Sequence, residues 1–153
     1  MMRRFLRSVL PVLLIYSQYP CSFGESGKAD IAVVVTGVTD TRGKIMLALV
    51  STKEQYRSGK NIFMTAVLDP EIGSTRHVFK NVPPGTYSIK TYHDVNSNGR
   101  LDKGIFGIPK EKFGFSNDPV IRRGMPAYAD TVFECREGLN EVEIKLNSMA
   151  LGS

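Results

Sequence analysis

The sequence has few cysteines and few histidines, and this scarcity excludes several kinds of site. In 153 residues there are two cysteines, Cys21 and Cys135, and two histidines, His77 and His93. There is no G-x-S-x-G nucleophile elbow, no H-E-x-x-H helix and no paired-cysteine metal motif. The chain therefore offers no recognisable catalytic motif, and we predict a protein that is not an enzyme.

The sequence also lacks a basic patch in the part of the chain that we expect to fold. The formal net charge is +5, but the first 24 residues contain three arginines and no acidic side chain. Without them the net charge falls by three, to +2. The longest basic run that remains is Arg122-Arg123. Nucleic acid is therefore not an expected partner.

Residues 1–24 have the pattern of a secretory signal peptide. A basic start is followed by the apolar run Val9–Ile15, which is too short to span a bilayer. Ser22 and Gly24 provide small side chains at the −3 and −1 positions of a cut after Gly24. We expect a secreted or periplasmic protein, with one domain over residues 25–153 and no transmembrane segment after cleavage.

The two cysteines lead to separate expectations. Cleavage would remove Cys21 and leave Cys135 alone, so no intramolecular disulfide is expected. Cys135 alternates with Phe133 in a candidate strand, which predicts a buried and unreactive thiol. Cys21 raises lipidation as an alternative fate of the N-terminus, although the residues before it, Ser17-Gln18-Tyr19-Pro20, lack the leucine and small residues of a lipobox.

The rest of the chain has short β-branched and alternating segments separated by turn residues. This pattern predicts an all-β fold, a single antiparallel β-sandwich of about seven strands, Ig-like or transthyretin-like, with one long loop. The candidate strands cover residues 31–36, 44–50, 61–68, 75–82, 87–93, 127–135 and 141–146.

Three connecting segments also carry predictions. Residues 39–43 are typical of a hairpin connection between the first two strands. Residues 53–58 suggest one helical turn. Residues 103–125 contain no clear strand, and a connection of that length in a compact domain is usually functional or structured by its own side chains.

The segment from residue 94 to 102 is typical of a calcium-binding loop. Oxygen-bearing side chains occupy positions 1, 3, 5 and 9, and Gly99 occupies position 6, where such loops turn sharply. Position 12 is Ile105, so the usual bidentate acid is missing. We predict a weak calcium site and no zinc site, because the loop offers only hard oxygen ligands. The predicted ligands are Asp94, Asn96, Asn98, the carbonyl of Arg100, and Asp102.

Two questions about this loop stay open at the level of sequence. The same residue types also form ordinary turns in which Asn and Asp side chains bond to the local backbone. If a cation binds, Ser116 or Asp118 is a candidate to complete its shell in place of the missing acid.

The segment 103–125 has glycines beside aromatic and aliphatic residues, so two readings compete. In one, Phe106, Ile108, Phe113 and Phe115 fold back as a satellite cluster over the sandwich. In the other, some of them stay exposed as a platform for an unknown protein, glycan or envelope component.

A resemblance to known families rests on three motifs. Val82-Pro83-Pro84-Gly85-Thr86-Tyr87-Ser88-Ile89 resembles the turn and strand of transthyretin-like, carboxypeptidase-regulatory-like and Cna-B-like sandwiches. Together with the motifs at residues 92–102 and 106–117, it makes the chain similar to the bacterial secreted family called domain of unknown function 2141. The resemblance covers about residues 30–147. It implies a secreted or periplasmic sandwich and does not supply an activity.

Besides a non-enzymatic binding or accessory domain, two other functions remain open. One is a transthyretin-like hydrolase or isomerase that uses His93 and a loop carboxylate. The related purine-pathway hydrolases end in Tyr-Arg-Gly-Ser, whereas this sequence has Ala150-Leu151-Gly152-Ser153 and lacks the tyrosine and arginine. The other is a purely structural envelope protein.

Overall fold

Two β-sheets enclose an apolar core in the computed structural model, which describes residues 27–121 and 124–148. These residues form eight strands, two short helices and a 3₁₀ turn at Ile105–Gly107. The strands are β1 (Ala29–Val38), β2 (Lys44–Val50), β3 (Met64–Leu68), β4 (Gly73–Val82), β5 (Gly85–Asp94), β6 (Phe113–Phe115), β7 (Val132–Cys135) and β8 (Gly138–Lys145). The helices are α1 (Lys53–Ser58) and α2 (Tyr128–Thr131).

The smaller sheet has the order β4-β1-β8, and the larger has the order β3-β2-β5-β6. Strand β1 pairs antiparallel with β4 and parallel with β8. On the outer edge of β5, β7 pairs with the first half of the strand and β6 with the second half. Phe113 of β6 also forms a β-bridge with Asn147, just after β8, so β6 joins the two sheets along one side.

The core lies between the sheets and is built from alternate residues of each strand. Side chains two positions apart point to the same face of a sheet, so β-branched and aliphatic residues at this spacing are buried together. Each such side chain contributes about 1.5–3 kcal/mol when fully buried. The central members are Ile31, Val33, Val35, Ile45, Leu47, Leu49, Ile89 and Ile144.

A second apolar cluster covers the outer face of the larger sheet. We call it the outer-face cluster, and its buried members are Val50, Tyr56, Phe113 and Phe115. In the strand register Phe113 lies opposite Tyr92, and the ring of Phe115 lies 6.0 Å from that of Tyr56 on α1. The folded-back reading of the 103–125 segment therefore holds for Phe113 and Phe115, and the side chain of Phe106 lies outside the described part of the chain.

The predicted all-β sandwich is confirmed, with eight strands in the described residues rather than about seven. The additional strand, β6, lies inside the segment predicted to be one long loop. Its three residues, Phe113-Gly114-Phe115, are too few to show an alternating pattern. One pairing, β1 with β8, is parallel.

The hairpin prediction for residues 39–43 is wrong. Strands β1 and β2 lie in different sheets, so the segment crosses between them. Gly43 (φ +75°) ends the crossing against the backbone of β5, because a Cβ atom there would lie 1.9 Å from the carbonyl oxygen of Asp94.

Several element boundaries also differ from the prediction, β7 and β3 among them, and one helix matches it. Residues 127–135 begin with α2, and only Val132–Cys135 form a strand. Strand β3 begins at Met64, three residues later than predicted. Helix α1 has the predicted bounds, because Thr52 caps its start by accepting a bond from the N–H of Gln55, and Gly59 ends it in the left-handed conformation.

The predicted signal peptide, the cut after Gly24 and the fate of Cys21 fall outside the described residues. Cys135 is buried on β7, as expected from its alternation, and burial raises the pKa of its thiol. In the described parts of the chain, neither helix approaches the length and apolarity needed to cross a membrane.

Candidate cation-binding loop

The loop begins at Asp94, the last residue of β5. Asp94 is 1% exposed, although the five residues that follow Val95 lie on the surface. Its Oδ1 accepts a hydrogen bond from the N–H of Asn98 (3.0 Å), and its Oδ2 accepts one from the N–H of Gly99 (2.7 Å). The carboxylate thus folds the loop back over its own start.

Two asparagine amides converge on the second aspartate of the loop. The Nδ2 of Asn96 donates to Oδ2 of Asp102 (2.7 Å), and the Nδ2 of Asn98 donates to Oδ1 (2.9 Å). Each amide oxygen in turn accepts a backbone N–H two residues on, Asn96 from Asn98 and Asn98 from Arg100. These are the local bonds of Asx turns.

The backbone of the loop needs two residues with positive φ. Gly99 has φ +78°, and Ser97 has φ +57°. A Cβ atom on Gly99 would meet nothing within 4 Å, so the backbone conformation, and not crowding, favours glycine there. This supports the sharp turn predicted at position 6.

Glu111 links the loop to the next strand, and sequence reasoning missed it. Its Oε1 accepts the N–H of Val95 (2.9 Å), and its Oε2 accepts the N–H of Asp102 (2.9 Å). One carboxylate, itself only 9% exposed, therefore holds both ends of the loop. A signal was present in the sequence, because Glu111 is the one acidic residue between positions 103 and 117.

Ser116 and Asp118, the two candidates to complete a cation shell, bond to other elements in this structure. The hydroxyl of Ser116 accepts the N–H of Ile89 and donates to the carbonyl of Thr131. Oδ1 of Asp118 accepts the N–H of Lys145 (3.0 Å). Both side chains therefore fasten the end of β6 to other elements, and Glu111 is the acid that reaches the loop.

His93 lies beside the loop in sequence but faces the core. It is 2% exposed, and its Nε2 lies 2.8 Å from the carbonyl oxygen of Arg42. Adjacent residues of a strand point to opposite faces, so His93 and Asp94 diverge. His77, the other histidine, lies on β4 with its ring 4.6 Å from that of Phe79.

Asp102 is one of the two carboxylates in the loop. Hydrogen bonds from Asn98 and Asn96, with Arg100 nearby, hold the pKa of its carboxyl below the usual range. The Nε of Arg100 lies 3.8 Å from Oδ1 of Asp102, and both side chains are partly open to solvent. This exposed ion pair contributes little to stability.

Two of the predicted ligands, Asn96 and Asn98, therefore meet at Asp102, and donors already occupy the oxygen atoms of all four predicted side-chain ligands. Across residues 27–121 and 124–148, no three histidine, cysteine, aspartate or glutamate side chains are arranged to hold a metal ion. The loop is chemically suited to a hard cation, since its side chains offer oxygen atoms. Turning both asparagine amides by 180° would point oxygen instead of N–H toward Asp102, and it would break the bonds that these oxygens now accept from backbone N–H groups.

Comparison with protein families gives one match. The family described as an uncharacterized protein conserved in bacteria (DUF2141) matches residues 33–143, which is more than half of the chain, and the chain belongs to this family. No curated protein and no solved structure matches the chain. The match includes the loop, Glu111, the six strands β2 to β7 in full, and more than half of β1 and of β8.

Proposed function

Starting from membership in the DUF2141 family, we propose that the protein is a secreted or periplasmic, non-enzymatic binding or accessory domain whose 94–102 loop is ordered by calcium. The single observation that carries the proposal is the position of Glu111. Because its carboxylate bonds to the backbone at both ends of the loop, whatever orders the loop also orders the chain that follows it.

The residues that would hold the cation are those that carry oxygen atoms at the ligand positions of the loop. A bound calcium ion would supply positive charge where two amide N–H groups now meet the carboxylate of Asp102. Both amides would have to turn, and the N–H bonds to Asp94 would keep that carboxylate in place. The proposed ligands are Asp94, Asn96, Asn98, the Arg100 carbonyl and Asp102.

The affinity expected for this site is low. Two carboxylates and neutral amides resemble the ligand sets of extracellular modules, which bind calcium with dissociation constants of about 0.1–1 mM. At about 2 mM calcium and a dissociation constant of about 0.1 mM, binding stabilises the folded state by roughly 1.8 kcal/mol. This is enough to order a loop in a calcium-rich compartment.

The surface that the ordered loop would present is the connection that follows it. Ile105 and Val120 are about four-fifths exposed, at 79% and 81%, so this segment offers apolar contacts to a partner. The partner would be a protein, a glycan or an envelope component. Lys110 and Gly104 close the connection, because their N–H groups donate to the carbonyls of Asp102 and Ile108.

Thermal unfolding in the presence of different cations tests the proposal. The protein is unfolded in EDTA and then with millimolar calcium, magnesium or zinc, beside an Asp94→Ala variant. We expect calcium to raise the midpoint by several degrees in the original protein and to leave the variant unchanged. Asp69→Ala, at an exposed aspartate on the far side of β2, is the matched control and should keep the calcium response. An unchanged midpoint with every cation would reduce the loop to an Asx-rich turn.

A further inference from the structure

A cavity of about 490 Å³ lies on the outer face of the larger sheet. Its floor consists of outward-pointing residues of β2 and β5, namely Met46, Ala48, Lys90 and Tyr92. Leu101, from the end of the 94–102 loop, forms part of its wall. The volume lies within the range of pockets that bind small molecules, about 300–1,000 Å³.

The cavity continues into two neighbouring ones that share residues with it. A second, of about 230 Å³, shares Leu101, Phe113 and Phe115 and adds Lys103. A third, of about 330 Å³, shares Met125 and adds Lys53 and Arg57. Apart from these cations, most of the lining side chains are apolar. No aspartate or glutamate is among the described residues that line the three cavities.

Lys90 is the cation on the cavity floor. Its Nζ donates to the carbonyl oxygen of Tyr56 (2.8 Å) and lies 5.2 Å from the centre of the Tyr56 ring. An ammonium group has three N–H donors, and no ion pair of Lys90 is found among the described residues. Burial lowers the pKa of Lys90, because removing the ammonium from water disfavours its charged form. A bound anion would favour the charged form again.

We propose that the cavity binds an amphipathic monocarboxylate, whose apolar chain lies along the outer-face cluster and whose carboxylate pairs with Lys90. The apolar floor takes the chain, and the ammonium of Lys90, which has no ion-pair partner among the described residues, takes the head group. The described lining repels no anion, because its charged members are all basic. This ligand class goes beyond the function proposed above and does not depend on calcium.

Calorimetric titration with decanoate, below the concentration at which it forms micelles, tests the inference. We expect saturable binding with one ligand per protein. Two probes of the same chain length serve as ligand controls, decanol without charge and decyltrimethylammonium with the opposite charge. Both should bind at least tenfold more weakly than decanoate, because neither pairs with the ammonium. Binding of decanoate that does not saturate, or equal binding of the three probes, overturns the inference.

Four variants separate the head-group contact from the apolar one. Lys90→Met should weaken decanoate binding at least tenfold and leave decanol binding unchanged, whereas Lys90→Arg should retain binding. Ala48→Leu should weaken all probes by filling the floor of the cavity. Lys80→Met, at an exposed lysine on β4 of the other sheet, is the charge-matched control and should bind as the original protein does. Equal decanoate affinity in the Lys90→Met and Lys80→Met proteins overturns the assignment to Lys90.

The titration is done in EDTA and again with calcium, so that this inference and the calcium proposal can fail separately. Saturable binding in EDTA supports the cavity whatever calcium does to the thermal midpoint. Loss of binding in both conditions, while calcium still raises the midpoint, would overturn the cavity alone.

Discussion

At the scale of single residues, Glu111 is the side chain on which the loop depends most. We expect Glu111→Gln to lower the free energy of unfolding by about 1–3 kcal/mol, because an amide can accept only one of the two backbone N–H groups that the carboxylate now accepts. Urea denaturation measures the change. The matched control is Glu71→Gln, at an exposed glutamate, which should change stability by less than about 0.5 kcal/mol. Equal losses in the two variants would contradict a bridging role.

The residue pattern of the sequence predicted the 94–102 loop, but it did not predict the role of Glu111. Asp94, Asn96, Asn98, Gly99 and Asp102 follow a spacing set by cation geometry and by turn chemistry, so a pattern can identify them. The hydrogen bonds of Glu111 go to backbone N–H groups, which every residue type except proline provides. Its role depends on how the chain returns after the loop, and no local pattern encodes that return.

A second residue-scale prediction concerns Asp40. Hydrogen bonds from Arg42 lower the pKa of the Asp40 carboxyl to about 2. In the unfolded chain the pKa of an aspartate is about 3.9, so the stabilisation is fully present above that pH and is lost as the pH falls through about 2. We expect the carboxyl carbon of Asp40 to titrate near pH 2 by NMR. The unfolding midpoint of the original protein should exceed that of Asp40→Asn at pH 6, and the two should converge toward pH 2. A gap that is equally large at both pH values would contradict the assignment.

At the scale of elements, β6 holds its place because Gly114 has no side chain. A Cβ atom there would lie 2.7 Å from both Cγ2 of Ile144 and the carbonyl oxygen of Lys145. We expect Gly114→Ala to destabilise the protein by about 1–3 kcal/mol by pushing β6 away from β8. The control is Gly85→Ala on β5, where the nearest atom to a Cβ would be 3.6 Å away. Chemical denaturation compares them, and similar stability of the two variants would show that β6 can shift at no cost.

The strands that the sequence predicted well are those that alternate over six residues or more, such as β5 and β8. The pattern was weaker where tertiary contacts decide the structure. Strand β6 is only three residues long, and α2 replaces the first half of a predicted strand. The hairpin prediction failed for a related reason. The turn-forming residues at 39–43 indicate that the chain changes direction, but they do not determine which sheet the next strand joins.

At the scale of the whole molecule, residues 1–24 are predicted to be a signal peptide that directs the protein out of the cytoplasm. When the full sequence is expressed in a bacterium, we expect the protein outside the cytoplasm. Its intact mass should equal that of a mature chain whose first residue is Glu25. Replacing Gly24 by a bulky residue should block this cleavage, because the −1 position requires a small side chain. A mature chain that begins at a lipid-modified Cys21 would establish the lipoprotein alternative, and an unprocessed cytoplasmic chain would contradict both.

Family membership and the sandwich together leave the activity undetermined, since sandwiches support many unrelated functions. The function of this chain therefore has to be sought in particular side chains. The two surfaces with distinct chemistry, the 94–102 loop and the cavity above Lys90, meet at Leu101.

Strand β1 gives the molecule a direction. The strand begins at Ala29, and near its far end the carbonyl of Gly37 accepts a hydrogen bond from Nζ of Lys112, the residue after Glu111 at the base of the loop. A strand of ten residues spans about 30 Å. If the protein were tethered through residues that precede Ala29, to a lipid, a membrane or a column, the loop would point away from the tether, with its reach set by the length of one strand.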